Sequence, residues 1–221
     1  MDIILILLII AIPFFSHMYI NSVYSETRGK ANSKGLCGQE VARKILDANG
    51  LEKVHVVEVN GILSDHYDPR RNVVRLSTEV FHGESIAALA VAAHECGHAI
   101  QDKEGYPLLR IRALLVPVVN LVNYTAYIVF IASMLLQVFD YIYWAAALAL
   151  LTLIFQLVTL PVEFNASSRA LAQVKKESLV NKEDKDGVEK MLKAAALTYV
   201  AALLSSLLNL LRILSRIRNR D

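Results

Sequence analysis

The chain has 221 residues, of which 55% are hydrophobic and 20% charged, with a formal net charge of +2 at pH 7. Its 23 basic and 21 acidic residues leave four windows without any charge, at residues 3–25, 113–139, 141–162 and 194–211. Uncharged apolar runs of about 20 residues are typical of helices that cross a bilayer, so the sequence excludes a single soluble globule and a disordered chain.

The distribution of charged residues argues against nucleic acid as a partner. Basic residues are interspersed with acidic ones along the chain, whereas a nucleic-acid surface needs concentrated positive charge. Two cysteines, Cys37 and Cys96, cannot form a disulfide framework, and this favours a polar part that faces the cytosol.

Residues 1–25 are predicted to be an N-terminal transmembrane anchor. A signal peptide would begin with basic residues and end at a small-x-small cleavage site, but here Asp2 precedes the apolar run and no such site follows it. Arg28, Lys30 and Lys34 come directly after the run. The positive-inside rule therefore places the amino terminus outside and the chain from residue 26 in the cytoplasm.

Residues 26–112 are predicted to form a small cytoplasmic α+β segment. The periodicity indicates a helix over 38–49, strands at 54–59 and 73–77 with a turn between them, and an Ala-rich helix from 84 to about 102. The strand at 73–76 is either an edge strand that pairs with an extended peptide or an ordinary strand of the sheet.

Residues 113–162 are predicted to be a transmembrane hairpin whose two helices are separated only by Asp140. Two crossings return the chain to its starting side, so 163–190 is expected in the cytoplasm. Residues 191–221 form a helix that is either amphipathic and interfacial or inserted in the membrane, because one face carries a polar stripe. The stripe consists of Thr198, Ser205, Asn209, Arg212 and Arg216. The predicted fold class is a mainly α integral membrane protein with a small α+β cytoplasmic segment. The predicted location is the plasma membrane, which the chain crosses several times.

The motif that points to chemistry is His94-Glu95-Cys96-Gly97-His98, in the predicted helix of the cytoplasmic segment. Residues four apart on a helix lie within about 40° of each other, so both imidazoles can bind one Zn²⁺. Glu95 is placed beside them, where a carboxylate can act as general base without being a ligand.

Catalytic zinc uses three protein ligands and leaves a position for water. Glu163 is the best third candidate, because it is the first charged residue after the third apolar window. Two membrane crossings between His98 and Glu163 put both on one face of the bilayer.

Four segments resemble the YugP-type neutral zinc metallopeptidases of prokaryotic membranes. They are SDHYDP at 64–69, AAHECGHAIQ at 92–101, TLPVEFNAS at 159–167 and AAALTYVAA at 194–202. The order of motif, hairpin and ligand Glu also resembles the HtpX-type membrane proteases. The resemblance implies a zincin-like helix, a zinc site made of His94, His98 and Glu163, and a membrane-bound zinc endopeptidase that uses one Zn²⁺ per chain.

The expected partners are the lipid bilayer and a peptide or membrane-protein substrate, with the active site at the cytoplasmic face; the oligomeric state does not follow from the sequence. The alternative is a non-catalytic membrane scaffold or quality-control binding protein in which zinc is purely structural. Two weaker candidates complete the site. His66 could line the cleft or donate to the substrate carbonyl, or be a solvated turn residue; Tyr199 could stabilise the oxyanion, or anchor its helix at the interface.

The chain departs from related zinc peptidases in two respects. Many of them place an Asp four residues after the ligand Glu to orient a ligand His, whereas this chain has Ser167. We therefore expect the carboxylate of Asp65, Asp68 or Asp102 to orient the ligand His instead. The resemblance also implies a small aliphatic residue at Cys96 and Thr at Cys37, so that Cys96 is either an oxidation-sensitive neighbour of the base or a plain core thiol.

Overall fold

The computed structural model describes residues 2–61, 64–136 and 141–219. Its elements in chain order are α1 (Asp2–Arg28), α2 (Gly38–Ala48), β1 (His55–Val59), β2 (His66–Asp68), β3 (Val73–Ser77), α3 (Thr78–His82), α4 (Ile86–Lys103), α5 (Pro107–Leu136), α6 (Tyr141–Lys176) and α7 (Lys182–Arg218). The protein is mainly helical with one small sheet, as the sequence predicted.

The chain divides into two compact units. We call residues 18–106 with 162–197 the polar unit, and residues 1–17, 107–161 and 198–221 the apolar unit. The helices α1, α6 and α7 each contribute residues to both units. Each unit is built around its own set of buried side chains.

The sheet of the polar unit has the order β1-β3-β2. Strand β3 pairs in parallel with β1 and antiparallel with β2, with Tyr67 opposite Val74. Since β3 is the central strand, the prediction that 73–76 could receive a peptide at an edge is wrong, and the ordinary-strand alternative holds. Strand β2 lies inside the predicted turn, where only three residues pair before the chain turns back into β3.

Helix α4 runs through the core of the polar unit. Its N-cap is Ser85, whose hydroxyl accepts a hydrogen bond from the Ala88 N–H at 3.1 Å. Almost every side of the helix is buried. Most of its own buried residues are small, which allows neighbouring elements to pack closely against it. Glu95, His98 and Gln101 are nevertheless buried in it. Buried polar groups require partners, and those partners define the site described below.

The apolar unit exposes large hydrophobic side chains, among them Ile3, Leu114 and Trp144, each more than 60% exposed. Among the described residues, three helices are long and apolar enough to cross a membrane, within Ile3–Arg28, Ile142–Lys176 and Lys182–Arg218. The number rises to four if the bent pair of Ile86–Lys103 and Pro107–Val122 forms one span. The predicted hairpin turn at Asp140 falls outside the described residues.

Two helices extend beyond the boundaries expected from charge. Helix α6 continues without interruption past Glu163 to Lys176, and α7 begins at Lys182 instead of near 191. A first charged residue marks where a helix becomes polar, but it does not end the helix, because Glu and Lys are good helix formers. Glu163 is consequently held within a rigid element and not in a loop.

Candidate metal centre

The three predicted ligands come from two helices of the polar unit. His94 and His98 lie one turn apart on α4, with ring centroids 4.8 Å apart and ring planes at 85°. Glu163 projects from α6 and is 1% exposed. The structure thus brings together His94, His98 and Glu163, residues separated by up to 69 positions in the chain.

The geometry of these donors fits a zinc ion. One ligand atom from each of the three residues lies within 4.8 Å of the others. Two zinc bonds of about 2.0–2.1 Å at a tetrahedral angle place their ligand atoms about 3.3 Å apart. Glu163 Oε2 lies 3.1 Å from His94 Nε2 and 3.6 Å from His98 Nε2. Two imidazoles and one carboxylate are also a donor set that zinc enzymes use.

The second nitrogen of each histidine has its own partner. His94 Nδ1 lies 3.2 Å from Ser167 Oγ, and His98 Nδ1 lies 2.9 Å from Gln101 Oε1. Both contacts leave Nε2 directed at Glu163. A hydrogen bond of this kind fixes the ring orientation of a metal-binding histidine.

The expectation that an Asp replaces the carboxylate missing at position 167 is wrong. Ser167 itself occupies that place beside His94. The three candidate carboxylates accept hydrogen bonds elsewhere: Asp65 from the N–H and hydroxyl of Ser77, Asp68 from the N–H groups of Arg70 and Arg71, and Asp102 from the hydroxyl of Tyr67. Sequence spacing could not show the pairings of Asp65 and Asp102, because these join segments that lie 12 and 35 positions apart in the chain.

Glu95, the predicted general base, is buried next to the ligands. Its Oε2 accepts a hydrogen bond from the Tyr67 N–H at 2.9 Å, so the edge strand β2 orients the carboxylate. Burial raises the pKa of Glu95; the charge of His94 lowers it and that of Glu163 raises it again. A carboxylate with a raised pKa is a better proton acceptor, as general-base catalysis requires.

The two weaker candidates lie on β2 and on α7. His66 lies on β2, is exposed, and has its Nδ1 2.7 Å from the Ser64 carbonyl oxygen. Tyr199 lies on the part of α7 that belongs to the apolar unit and is half-buried. Their roles in binding substrate or stabilising the oxyanion stay predictions.

Two residues beside the ligands were missed by sequence reasoning. Gln101 follows His98 by three positions, which places it on the same helical face, and this spacing was a usable signal. Tyr67 acts through its backbone N–H, which carries no sequence signal at all.

The comparisons with known proteins cover nearly the whole chain. A family described as "Putative neutral zinc metallopeptidase" matches residues 2–218. A curated relative, "Putative membrane protease YugP" of Bacillus subtilis (strain 168), is 46% identical over 203 residues, which cover 92% of this chain and 90% of the relative. No solved structure matches the chain.

Proposed function

Because this chain belongs to that family of neutral zinc metallopeptidases, we propose that it is a membrane-bound zinc endopeptidase that cleaves membrane or membrane-proximal proteins. The family assignment agrees with the one expected from the motifs. The observation that carries the proposal is the three-donor cluster of His94, His98 and Glu163 beside a buried glutamate. Structural zinc is usually held by four protein ligands, whereas catalytic zinc is held by three, which favours catalysis over a purely structural site.

His94, His98 and Glu163 would hold one zinc ion, whose chemistry is that of a Lewis acid able to polarise a carbonyl and to acidify water. Glu95 is the general base: its carboxylate takes a proton from the attacking water and gives it to the leaving nitrogen. The Tyr67 N–H holds Glu95 Oε2 at 2.9 Å, which keeps the carboxylate in place for both transfers.

The test is Glu95→Gln in purified full-length protein, measured with unfolded peptide substrates and by zinc analysis. Loss of a general base typically costs about 10²- to 10⁴-fold in rate, so we expect at least a 100-fold loss of hydrolysis with zinc retained. Glu84→Gln, at an exposed position just before α4, is the matched control and should keep full activity. Hydrolysis by Glu95→Gln at the wild-type rate would refute the mechanism.

Measurements on the wild-type protein alone distinguish the scaffold alternative from an endopeptidase. An endopeptidase loses activity when a chelator removes zinc and regains it when zinc is returned, whereas a scaffold binds zinc and hydrolyses nothing. Stoichiometric zinc without any chelator-sensitive proteolysis would therefore support the scaffold.

We further propose that the polar unit faces the cytoplasm in a multi-pass plasma-membrane protein. The support is the positive charge of Arg28, Lys30 and Lys34 directly after the first apolar run. Lys34 is exposed, so a single cysteine placed there in a cysteine-free background can be probed with a membrane-impermeant thiol reagent. Labelling in broken but not in intact cells is expected, and labelling in intact cells would reverse the orientation.

A further inference from the structure

Gln101 is fully buried in α4, one turn after His98. An uncharged amide at 0% exposure in the core of the polar unit must satisfy its carbonyl and both of its N–H groups to avoid a desolvation cost. It does so with partners on two helices, and these partners determine which way the amide points.

The donors of Gln101 are directed at α6. Its Nε2 donates to the Val162 carbonyl oxygen at 2.8 Å and to Asn165 Oδ1 at 2.9 Å. A backbone carbonyl can only accept, so the nitrogen of Gln101 must face Val162. Asn165 Oδ1 also accepts from Arg169 Nε at 2.7 Å, and a guanidinium can only donate, so the atom of Asn165 facing Gln101 is its oxygen.

With both N–H groups used on α6, the carbonyl Oε1 of Gln101 faces His98 Nδ1 at 2.9 Å. An amide oxygen has no proton to donate, so His98 must carry its proton on Nδ1. In the neutral imidazole, Nε2 is then the unprotonated nitrogen, and a metal binds only to an unprotonated nitrogen. The tautomer of His98 is thereby set by a chain of contacts that starts at a backbone carbonyl.

The same chain connects the helix of the two histidines to the helix of the third ligand. Val162 and Asn165 flank Glu163 on α6, and Arg169 pairs with Glu104 at the end of α4 at 2.7 Å. Gln101 therefore contacts His98 on one side and the backbone next to Glu163 on the other.

We propose that Gln101 is a positioning residue of the metal centre, which holds His98 in the metal-binding tautomer. For its catalytic consequence the inference rests on the proposed zinc endopeptidase, but metal binding tests it without any measurement of activity. This role also explains why a polar residue is buried at position 101, which core packing alone does not explain.

Two substitutions separate the two contacts of Gln101. Gln101→Met removes acceptor and donors together, and outer partners of metal-binding histidines are typically worth about 10- to 100-fold in affinity. We expect zinc binding, measured by competition with a chromophoric chelator, to weaken by that factor, and the visible absorption of the cobalt(II)-substituted protein to change. Gln101→Glu keeps an acceptor for His98 Nδ1–H and loses the donors to α6, so it should recover most of the affinity and the wild-type cobalt spectrum.

Gln173→Met is the matched control, because Gln173 also joins α6 to another element through an amide pair, with Asn49 at 3.0 and 3.2 Å. It should lower thermal stability and leave zinc affinity and the cobalt spectrum unchanged. Wild-type affinity in Gln101→Met, or Gln101→Glu that binds no better than Gln101→Met, would overturn the inference. Should Gln101→Met not fold, an altered cobalt spectrum in Gln101→Glu overturns it.

The proposed function fails in a different way. A wild type that binds zinc but hydrolyses no peptide contradicts the endopeptidase and not the role of Gln101. A wild type that binds neither zinc nor cobalt overturns both.

Discussion

Gly97 of α4 and Ala166 of α6 pack backbone against backbone in the polar unit. A β-carbon at position 97 would collide with the Ala166 carbonyl oxygen and lie 3.1 Å from its carbonyl carbon. Gly97 precedes His98 by one residue, and Ala166 follows Glu163 by three. The missing side chain at 97 therefore lets ligands from two helices reach a common position.

Gly97→Ala should weaken zinc binding. The added methyl group meets backbone, which cannot rotate away, so α6 must move and carry Glu163 away from the histidines. Overpacking of this kind costs about 1–3 kcal/mol, and the better helix propensity of Ala returns only about 1 kcal/mol. The expected result is a lower melting temperature together with a higher dissociation constant for zinc, measured by chelator competition.

Gly187→Ala is the control for that substitution. A β-carbon at 187 would meet only side-chain atoms of Ile86, at 3.1 and 3.3 Å, which can adjust. Zinc affinity should stay at the wild-type value there. If Gly97→Ala also bound zinc like the wild type, the close packing of α4 and α6 would not determine the metal site.

Glu163→Ala should abolish stoichiometric zinc binding. Two histidines alone offer two donors where zinc enzymes use three, and Glu163 supplies the carboxylate that lies 3.1 Å from His94 Nε2. Zinc per chain, measured by mass spectrometry of the metal after dialysis, should fall from one to near zero. Glu177→Ala, just past the end of α6, should keep one zinc per chain. Retention of wild-type affinity in Glu163→Ala would remove the third ligand.

Ser167 should be replaceable by Asp and not by Ala. Its hydroxyl lies 3.2 Å from His94 Nδ1, and a carboxylate in the same place would accept the Nδ1 proton more strongly. Ser167→Ala is expected to weaken zinc binding about tenfold, and Ser167→Asp to bind zinc at least as tightly as the wild type. The exposed neighbour Ser168 provides a control, since Ser168→Ala should change nothing. Equal affinities in Ser167→Ala and wild type would show that the hydroxyl does not orient His94.

Local patterns in the sequence were enough to place His94, Glu95 and His98, because the spacing of residues on one helix fixes which side chains share a face. The sequence also predicted that Glu163 lies near these residues, because two apolar windows separate His98 from Glu163 and return the chain to the same side of the membrane. Periodicity likewise predicted α2, β3 and α4 near their observed positions.

The parts that the sequence could not supply depend on contacts between distant segments. Residues 66–68 pair with β3 in a strand too short to show alternation, and the Tyr67 N–H that reaches Glu95 is a backbone group. The expectation of an Asp beside His94 failed because a hydroxyl at the same position makes the contact. The charge pattern identified Glu163 as a candidate ligand but gave no indication that α6 continues past it to Lys176.

Cys96 should behave as a core thiol, although it directly follows the proposed base. It is fully buried, its Sγ lies 3.6 Å from the Ala42 carbonyl oxygen, and burial raises its pKa. A raised pKa leaves less thiolate at any given pH, and the thiolate is the form that reacts. With iodoacetamide at mildly alkaline pH, mass spectrometry should therefore show alkylation of half-buried Cys37 in the folded protein and of Cys96 only after unfolding. The Cys37→Ser variant leaves Cys96 as the remaining thiol. This folded variant should resist alkylation and mild oxidants and should still hydrolyse peptides. Rapid modification of the folded variant would instead identify Cys96 as an oxidation-sensitive neighbour of Glu95.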